Sequence, residues 1–349
     1  MSVAEQNLIN SLDNNELGFE DFKKIVIQDY KIAFESRQVS LLGRKEVLTG
    51  KAKFGIFGDG KEVAQLAMAK MFKQGDWRSG YYRDQTFMFA AGMLTITEFF
   101  AQLYANTDVN ADPSSAGRQM NAHFASRSLN DDGTWKNLTE MKNCSSDISP
   151  TGGQMARLVG LGLASKIYRN NPELAHLNGF SLNVNEVAFG TIGNASTCEG
   201  VFLSAINAIG VLQIPVAVSI WDDAFGISVP AAYQTTKQDI SEVLKGFQRD
   251  ELGEGYDIFK VRGWDYPGLC ETYEKAICAC RDNHRPVMIH VTEMTQPQGH
   301  STSGSHERYK TKERLAWEAE HDCLLQMRQW IIDSSIAEDE ELVALEKAV

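Results

Sequence analysis

Basic charge is in short supply in this chain: 34 Lys and Arg stand against 46 Asp and Glu over 349 residues, a net charge of −12. That balance argues against a nucleic-acid backbone as the main partner. It also means that an anionic ligand must be met by a few placed groups and not by a global field. Long apolar runs are missing too. No stretch approaches a membrane span, and the N-terminus has no apolar core of the signal-peptide kind. Met1 to Asp21 is acidic and without arginine, unlike a mitochondrial presequence. Cysteine is sparse and unpatterned: the six thiols at 144, 198, 270, 278, 280 and 323 form no Cys-x-x-Cys pair. Most sit in apolar helical patterns, so a reduced, cytoplasmic setting is expected. Internal repeats and low-complexity segments are absent, and the length suits one large α/β domain or two smaller ones.

What is present alternates. Residues 19–50 read as an amphipathic helix, with Phe22, Ile25, Val26, Tyr30 and Phe34 on one stripe. A Gly-bounded loop at 55–60 leads into a second helix, and 107–153, rich in Ser, Asn, Asp and Gly, reads as long functional loops. From 155 to 168 a small-residue apolar helix is suited to burial against a sheet. Strand 187–192, helix 200–209, strand 216–221, strand 259–262, helix 269–281 and strand 287–291 follow. Continuous apolar strands separated by helices predict an α/β fold, a parallel sheet with helices on both faces, after an N-terminal helical extension. The expected layout is a flexible N-terminus over 1–20, one domain over 21–335, and the start of an acidic C-terminal helix over 336–349.

The most informative segment is 193–225. A turn of small residues, Gly193-Asn194-Ala195-Ser196-Thr197, precedes a helix; a strand then runs into Trp221-Asp222-Asp223-Ala224-Phe225. Such a turn lets backbone amides approach a phosphate, and the helix start behind it favours negative charge. Two carboxylates returned to the same sheet edge one strand later can hold a hard cation against that phosphate. A βαβ unit with ordinary polar loops satisfies the same letters. Gly58-Asp59-Gly60 is set aside as a metal site, because the matching interval ends in Phe87-Met88 inside an apolar stretch.

The layout resembles the thiamine-diphosphate motif, Gly-Asp-Gly followed at an interval by Asn-Asn, in spacing and not in letters. Further segments match one family in order. Gly60-Lys61-Glu62-Val63-Ala64 resembles its Gly-Gln-Glu-Ala, Tyr81-Tyr82-Arg83-Asp84 its Tyr-Arg-Asp, Gly117-Arg118-Gln119-Met120-Asn121-Ala122-His123 its Gly-Arg-Gln-Met-Pro-x-His, and Gly299-His300-Ser301-Thr302-Ser303 its His-Ser-Thr-Ser loop. The chain is identified as similar to the α subunit, or α half of a fused chain, of the thiamine-diphosphate-dependent component of 2-oxo acid dehydrogenases, nearest the branched-chain (2-oxoisovalerate) branch.

The resemblance implies thiamine diphosphate and Mg²⁺ as cofactors, with Asn194, Asp223 and the Phe225 carbonyl as metal ligands. Asn194 and Asp223 would then have exchanged the family's carboxylate and amide. It assigns Tyr82 and Arg83 to the diphosphate, Gly193 and Ala195 to the turn that receives it, Ser149 and Thr151 to the loop at the pyrimidine end, and His300 to acid/base work at the reacting carbon. His290 is expected to pack in the core, and His123 and His306 to stand behind the site. The implied reaction is decarboxylation of a 2-oxo acid and transfer of the acyl group to a lipoyl arm. A β subunit or fused β half is the required partner, because nothing here resembles that second half. A pyruvate- or acetoin-type enzyme and a catalytically silent scaffold are the alternatives. Two family arginines are lost, at Trp221 and Gln296; Lys61, Arg157 and Arg308 are candidate replacements that sequence alone does not place.

Overall fold

Strand β4 (Val216–Trp221) is buried at every position, and β3 (Ala188–Gly193) at all but its last. Strands of this kind must be covered on both faces. The computed structural model, which describes residues 18–182, 184–302 and 305–349, provides that cover. Six parallel strands lie in the order β2-β1-β3-β4-β8-β7, with β1 Trp77–Ser79, β2 Asn143–Cys144, β7 Asp257–Arg262 and β8 Val287–Thr292. The twofold period of β4 sorts its side chains between the two layers. Ala217 joins the core that contains Tyr30, Phe87 and Tyr273, whereas Val216, Val218 and Ile220 join the core that contains Leu158, Phe202 and Ile206. Each such fully buried aliphatic side chain contributes about 1.5–3 kcal/mol.

The first layer is carried by α1 (Phe19–Leu48), α2 (Glu62–Lys70), α3 (Gln85–Ala90) and α4 (Ile96–Leu103), and the second by α5 (Gln154–Asn170) and α6 (Gly200–Leu212). Helix α5 packs closely because its sheet-side neighbour is small: a methyl group on Gly190 of β3 would be driven into Leu158. Past a one-turn helix α7 (Ile240–Val243), α8 (Tyr266–Asn283) returns to the first layer. The chain then ends its described course in α9 (Lys312–Glu320), α10 (Cys323–Asp333) and α11 (Asp339–Ala348).

Most expected elements fall where the pattern put them, with differences that have physical causes. Helix α1 buries Val26 and Tyr30 as read, but Phe22 is exposed. Strand β7 begins two residues before the expected 259, at Asp257. Strands β1 and β2 were not anticipated. The acidic segment expected to start a C-terminal helix forms α11, which buries Leu342 and lets Glu346 accept from the Tyr30 hydroxyl at 2.6 Å. Most of the expected flexible stretch, residues 1–17, lies outside the described residues. No helix among the described residues is long and apolar enough to cross a membrane.

Candidate active site at the carboxyl edge of the sheet

Chain order reverses at β1: its successor β2 lies on one side, and β3 and β4 continue on the other. In parallel sheets the carboxyl ends beside such a reversal form a crevice for ligands. Three connections meet there. From β1 runs Gly80-Tyr81-Tyr82-Arg83-Asp84, from β3 the turn Asn194-Ala195, and from β4 the loop Asp222-Asp223, which continues into a small ribbon of β5 (Phe225–Gly226) and β6 (Val229–Pro230). The Tyr81 hydroxyl faces Gly193 closely, and the Ala195 methyl lies against Gly226. The turn and the carboxylate loop are therefore neighbours, as their sequence spacing anticipates.

Asp84 fastens this junction. Fully buried, it accepts from Arg78 Nη2 at 2.7 Å, from the Tyr81 amide at 3.2 Å, from Trp221 Nε1 at 3.1 Å and from the Thr191 hydroxyl. Arg78, equally buried at the centre of β1, also pairs with Asp147 at 3.0 Å. The carboxyl of Asp147 is pushed up by burial even with that guanidinium beside it. Trp221, at one of the lost-arginine positions, thus has its indole in the core, tying the end of β4 to Asp84.

Asp223 is 2 % exposed and is the charged centre of the site. Its Oδ1 accepts from the Phe225 amide at 3.1 Å. Its Oδ2 lies 2.9 Å from Lys61 Nζ and 3.0 Å from His300 Nε2. Burial opposes ionisation of this carboxyl, but His300 and Lys61 outweigh it and hold the group well below the usual carboxylate range. For His300 burial wins: the imidazole is pushed below its ordinary value against the pull of Asp223, with Arg83 and Lys61 acting in the same direction as burial. A neutral imidazole facing an ionised carboxylate carries its proton on Nε2. The other nitrogen, Nδ1, is left as an acceptor, and it is buried with no partner among the described residues.

Lys61 is the residue whose part the sequence did not disclose. At 1 % exposure it donates to Asp223, to the Thr295 carbonyl at 3.2 Å and to Gln296 Oε1 at 2.8 Å. The charge lost at Gln296 is therefore returned by Lys61, which touches it. The signal was available in the letters, since Lys61 and Gln296 together exchange the family's glutamine and arginine. Lys61 is brought to the site by Gly60, whose φ of 86° places it in the left-handed region. A Cβ there would also collide with the Thr295 carbonyl. Of the other candidate replacements, Arg157 is half-buried and donates to the Ser146 carbonyl, and Arg308 is exposed. Arg314 of α9 was not anticipated; it donates to the Asp223 carbonyl at 2.9 Å and lies over the Phe225 ring.

Arg83 is placed beside the site, with its donors turned to the backbone. Nη1 donates to the Phe57 carbonyl at 2.6 Å and Nη2 to the His300 carbonyl at 2.9 Å, and the guanidinium lies over the Tyr82 ring. Arg44 of α1 donates to the carbonyls on either side, Gly299 at 2.9 Å and Ser301 at 3.0 Å. Three consecutive carbonyls, 299 to 301, are thus held by two guanidinium groups, while Asp59 accepts from the Gln298 amide at 3.0 Å. These contacts clamp the loop from Gln298 to Ser301. Ser303 of the motif lies outside the described residues.

The remaining expected residues divide. Ser149 and Thr151 are exposed on the loop before α5, and Ser149 is linked to His123 Nε2 at 3.1 Å, so His123 does stand behind that loop. His290, expected in the core, is buried in β8 between Asp222 at 2.9 Å and the Ser241 hydroxyl at 2.6 Å. Asn194 is buried, and its Nδ2 has no partner among the described residues. The trio expected to hold a metal fits poorly. The one carboxylate in it has Oδ2 engaged by Lys61 and His300 and Oδ1 by an amide.

Fold and site together define an α/β ligand-binding domain with a carboxylate–imidazole pair at the carboxyl edge of a parallel sheet. A family model described as dehydrogenase E1 component matches residues 33–349, and the chain belongs to that thiamine-diphosphate-dependent family. Among its relatives, the 2-oxoisovalerate dehydrogenase subunit alpha of Bacillus subtilis (strain 168) is 26 % identical over 293 residues, covering 84 % of this chain and 77 % of the relative. The pyruvate dehydrogenase E1 component subunit alpha of Acholeplasma laidlawii is 22 % identical over 333 residues, 94 % of this chain and 81 % of the relative. That of Rickettsia typhi is 26 % identical over 167 residues, 47 % of this chain and 48 % of the relative.

Proposed function

We propose that this chain is the α component of a 2-oxo acid dehydrogenase, acting on a branched-chain 2-oxo acid with thiamine diphosphate and passing the acyl group to a lipoyl arm. The reading is carried by the Asp223–His300 pair at the carboxyl edge, 3.0 Å apart, inside a chain of this family. The residues suit the diphosphate end of the cofactor. Buried N–H donors without partners, Asn194 Nδ2 and Gln296 Nε2, accompany the Lys61 cation. When bound, the cofactor supplies the carbanion that attacks the oxo carbon. The chain's own part is to position the ligand and to keep His300 neutral, with Nδ1 open to take or return a proton. Tyr82, Arg83, Gly193 and Ala195 frame the crevice, and Ser149 and Thr151 are assigned to the far end of the cofactor. Mg²⁺ on Asn194, Asp223 and Phe225 is left out of this reading because Asp223 is otherwise engaged.

A β partner completes the reading by supplying the other wall of the site, and a cytoplasmic location suits the six free thiols. The test is acyl transfer. The chain, with its β partner, is incubated with a lipoyl domain, thiamine diphosphate and either 2-oxoisovalerate or pyruvate, and the domain's mass is followed. The expected result is the branched acyl adduct, formed faster than the acetyl adduct. Faster acetyl transfer would make the chain a pyruvate-type component, and no transfer from any 2-oxo acid would remove the enzymatic reading.

A further inference from the structure

We infer that the Lys61 ammonium is the resident cation of this site, so that the chain binds a diphosphate group without a divalent metal. The inference rests on the proposed function for the identity of the ligand, but its structural basis is independent of it. Lys61 Nζ lies 2.9 Å from Asp223 Oδ2 at 1 % and 2 % exposure. A divalent ion on that oxygen would have to displace an ammonium that is also held by the Thr295 carbonyl and Gln296 Oε1. A buried carboxylate with a fixed monovalent partner already has its charge balanced, and adding an ion would leave the ammonium buried beside it.

The same contacts give the ammonium a second effect. Lysine only donates, so the Gln296 atom facing it must be the amide oxygen. That fixes the side chain with Nε2 on the other side, buried and without a partner among the described residues. Asn194 Nδ2, just past the end of β3, is in the same condition. Two unsatisfied buried N–H₂ groups and one neutralised carboxylate amount to a receptor for a multiply charged oxyanion, in which Lys61 supplies charge and the amides supply direction. The asparagine-for-carboxylate change at 194 fits this chemistry. A carboxylate there would add a negative charge that only a metal could offset, whereas an amide adds a donor.

The test is a calorimetric titration of inorganic pyrophosphate, and separately of thiamine diphosphate, into the chain with its β partner, once in excess EDTA and once with Mg²⁺. The expected result is the same affinity under both conditions. Lys61→Gln is expected to weaken binding in EDTA about ten- to a hundredfold, the worth of one charge-assisted contact, and to make binding respond to Mg²⁺, because Asp223 Oδ2 then faces only the neutral His300. Binding by the unaltered protein that requires Mg²⁺ overturns the inference and leaves the thiamine-diphosphate reading in place. No binding of thiamine diphosphate with or without Mg²⁺ overturns both. If Lys61→Gln does not fold, the EDTA and Mg²⁺ comparison on the unaltered protein decides alone.

Discussion

The clamp on the His300 loop gives the most quantitative prediction. Arg83→Ala removes two charge-assisted donors, to the Phe57 and His300 carbonyls, and Arg44→Ala removes the two to Gly299 and Ser301. At about 1.5 kcal/mol for each such bond, Arg44→Ala costs the closed loop about 3 kcal/mol, roughly a hundredfold in the population that opens, and Arg83→Ala, which has only its His300 bond on the loop, about 1.5 kcal/mol, roughly tenfold. The reporters are at hand. The Gln298 amide is held by Asp59 at 3.0 Å and the Gly299 amide by the Gln296 carbonyl at 2.9 Å, so both are protected only while the loop is closed. Hydrogen exchange of a peptide spanning 295–302 is expected to quicken by about two orders of magnitude in Arg44→Ala and about tenfold in Arg83→Ala, while peptides from β4 and β8 keep their protection. The double variant is expected to cost less than the sum, because the two arginines hold one segment. Because the same loop carries His300, Arg83→Ala is expected to lower turnover as well as thiamine-diphosphate affinity, and excess cofactor to restore only part of the loss. Unchanged exchange at 295–302 in both single variants would refute the clamp.

Further outcomes follow from the same geometry. Asp84→Asn leaves the fully buried Arg78 with a single carboxylate and weakens the hold on Trp221 and Thr191. It is expected to destabilise the fold by about 3–5 kcal/mol in urea titration, and a loss under 1 kcal/mol would show that the junction tolerates an amide. His300→Ala is expected to reduce turnover by about 10²–10⁴ with little change in thiamine-diphosphate affinity. Recovery at saturating cofactor would make it a binding residue instead. Thiol labelling at pH 8 is expected to modify Cys198 and Cys278, which are exposed, before Cys144 and Cys270, whose thiols burial pushes up to about 12 and about 11; mass mapping that finds Cys144 first would contradict the packing.

The inner sheet was legible because its strands are apolar for a simple reason: Val216 to Trp221 has cover on both faces, so every position is selected for burial. Strand β1 was not legible, because the residue at its centre is Arg78. A buried guanidinium breaks the apolar pattern, and Asp84 and Asp147, which pair with it in the fold, make it tolerable. Strand β2, two residues of Asn143 and Cys144, offers no period at all. At the site, Asp223 and His300 were singled out by their motifs, and the fold brings them together although they lie 77 positions apart in the chain. Lys61 was only one candidate among several, since its meaning lies in contacts 162 and 235 residues away, which no local pattern encodes. Arg83 was read as a ligand of the diphosphate because its motif suggests it, whereas the fold turns its donors to two loop carbonyls. Phe22 continued the apolar stripe of α1 on paper, but its ring is 38 % exposed.

The central claim is that this chain forms half of a thiamine-diphosphate-dependent 2-oxo acid dehydrogenase site. The most direct measurement is reduction of an artificial electron acceptor by 2-oxoisovalerate, with the purified chain alone, with its β partner, and with the partner but without thiamine diphosphate. The account predicts turnover only when chain, partner and cofactor are all present, and its loss in His300→Ala. Turnover by the chain alone, or turnover that does not depend on thiamine diphosphate, would contradict it.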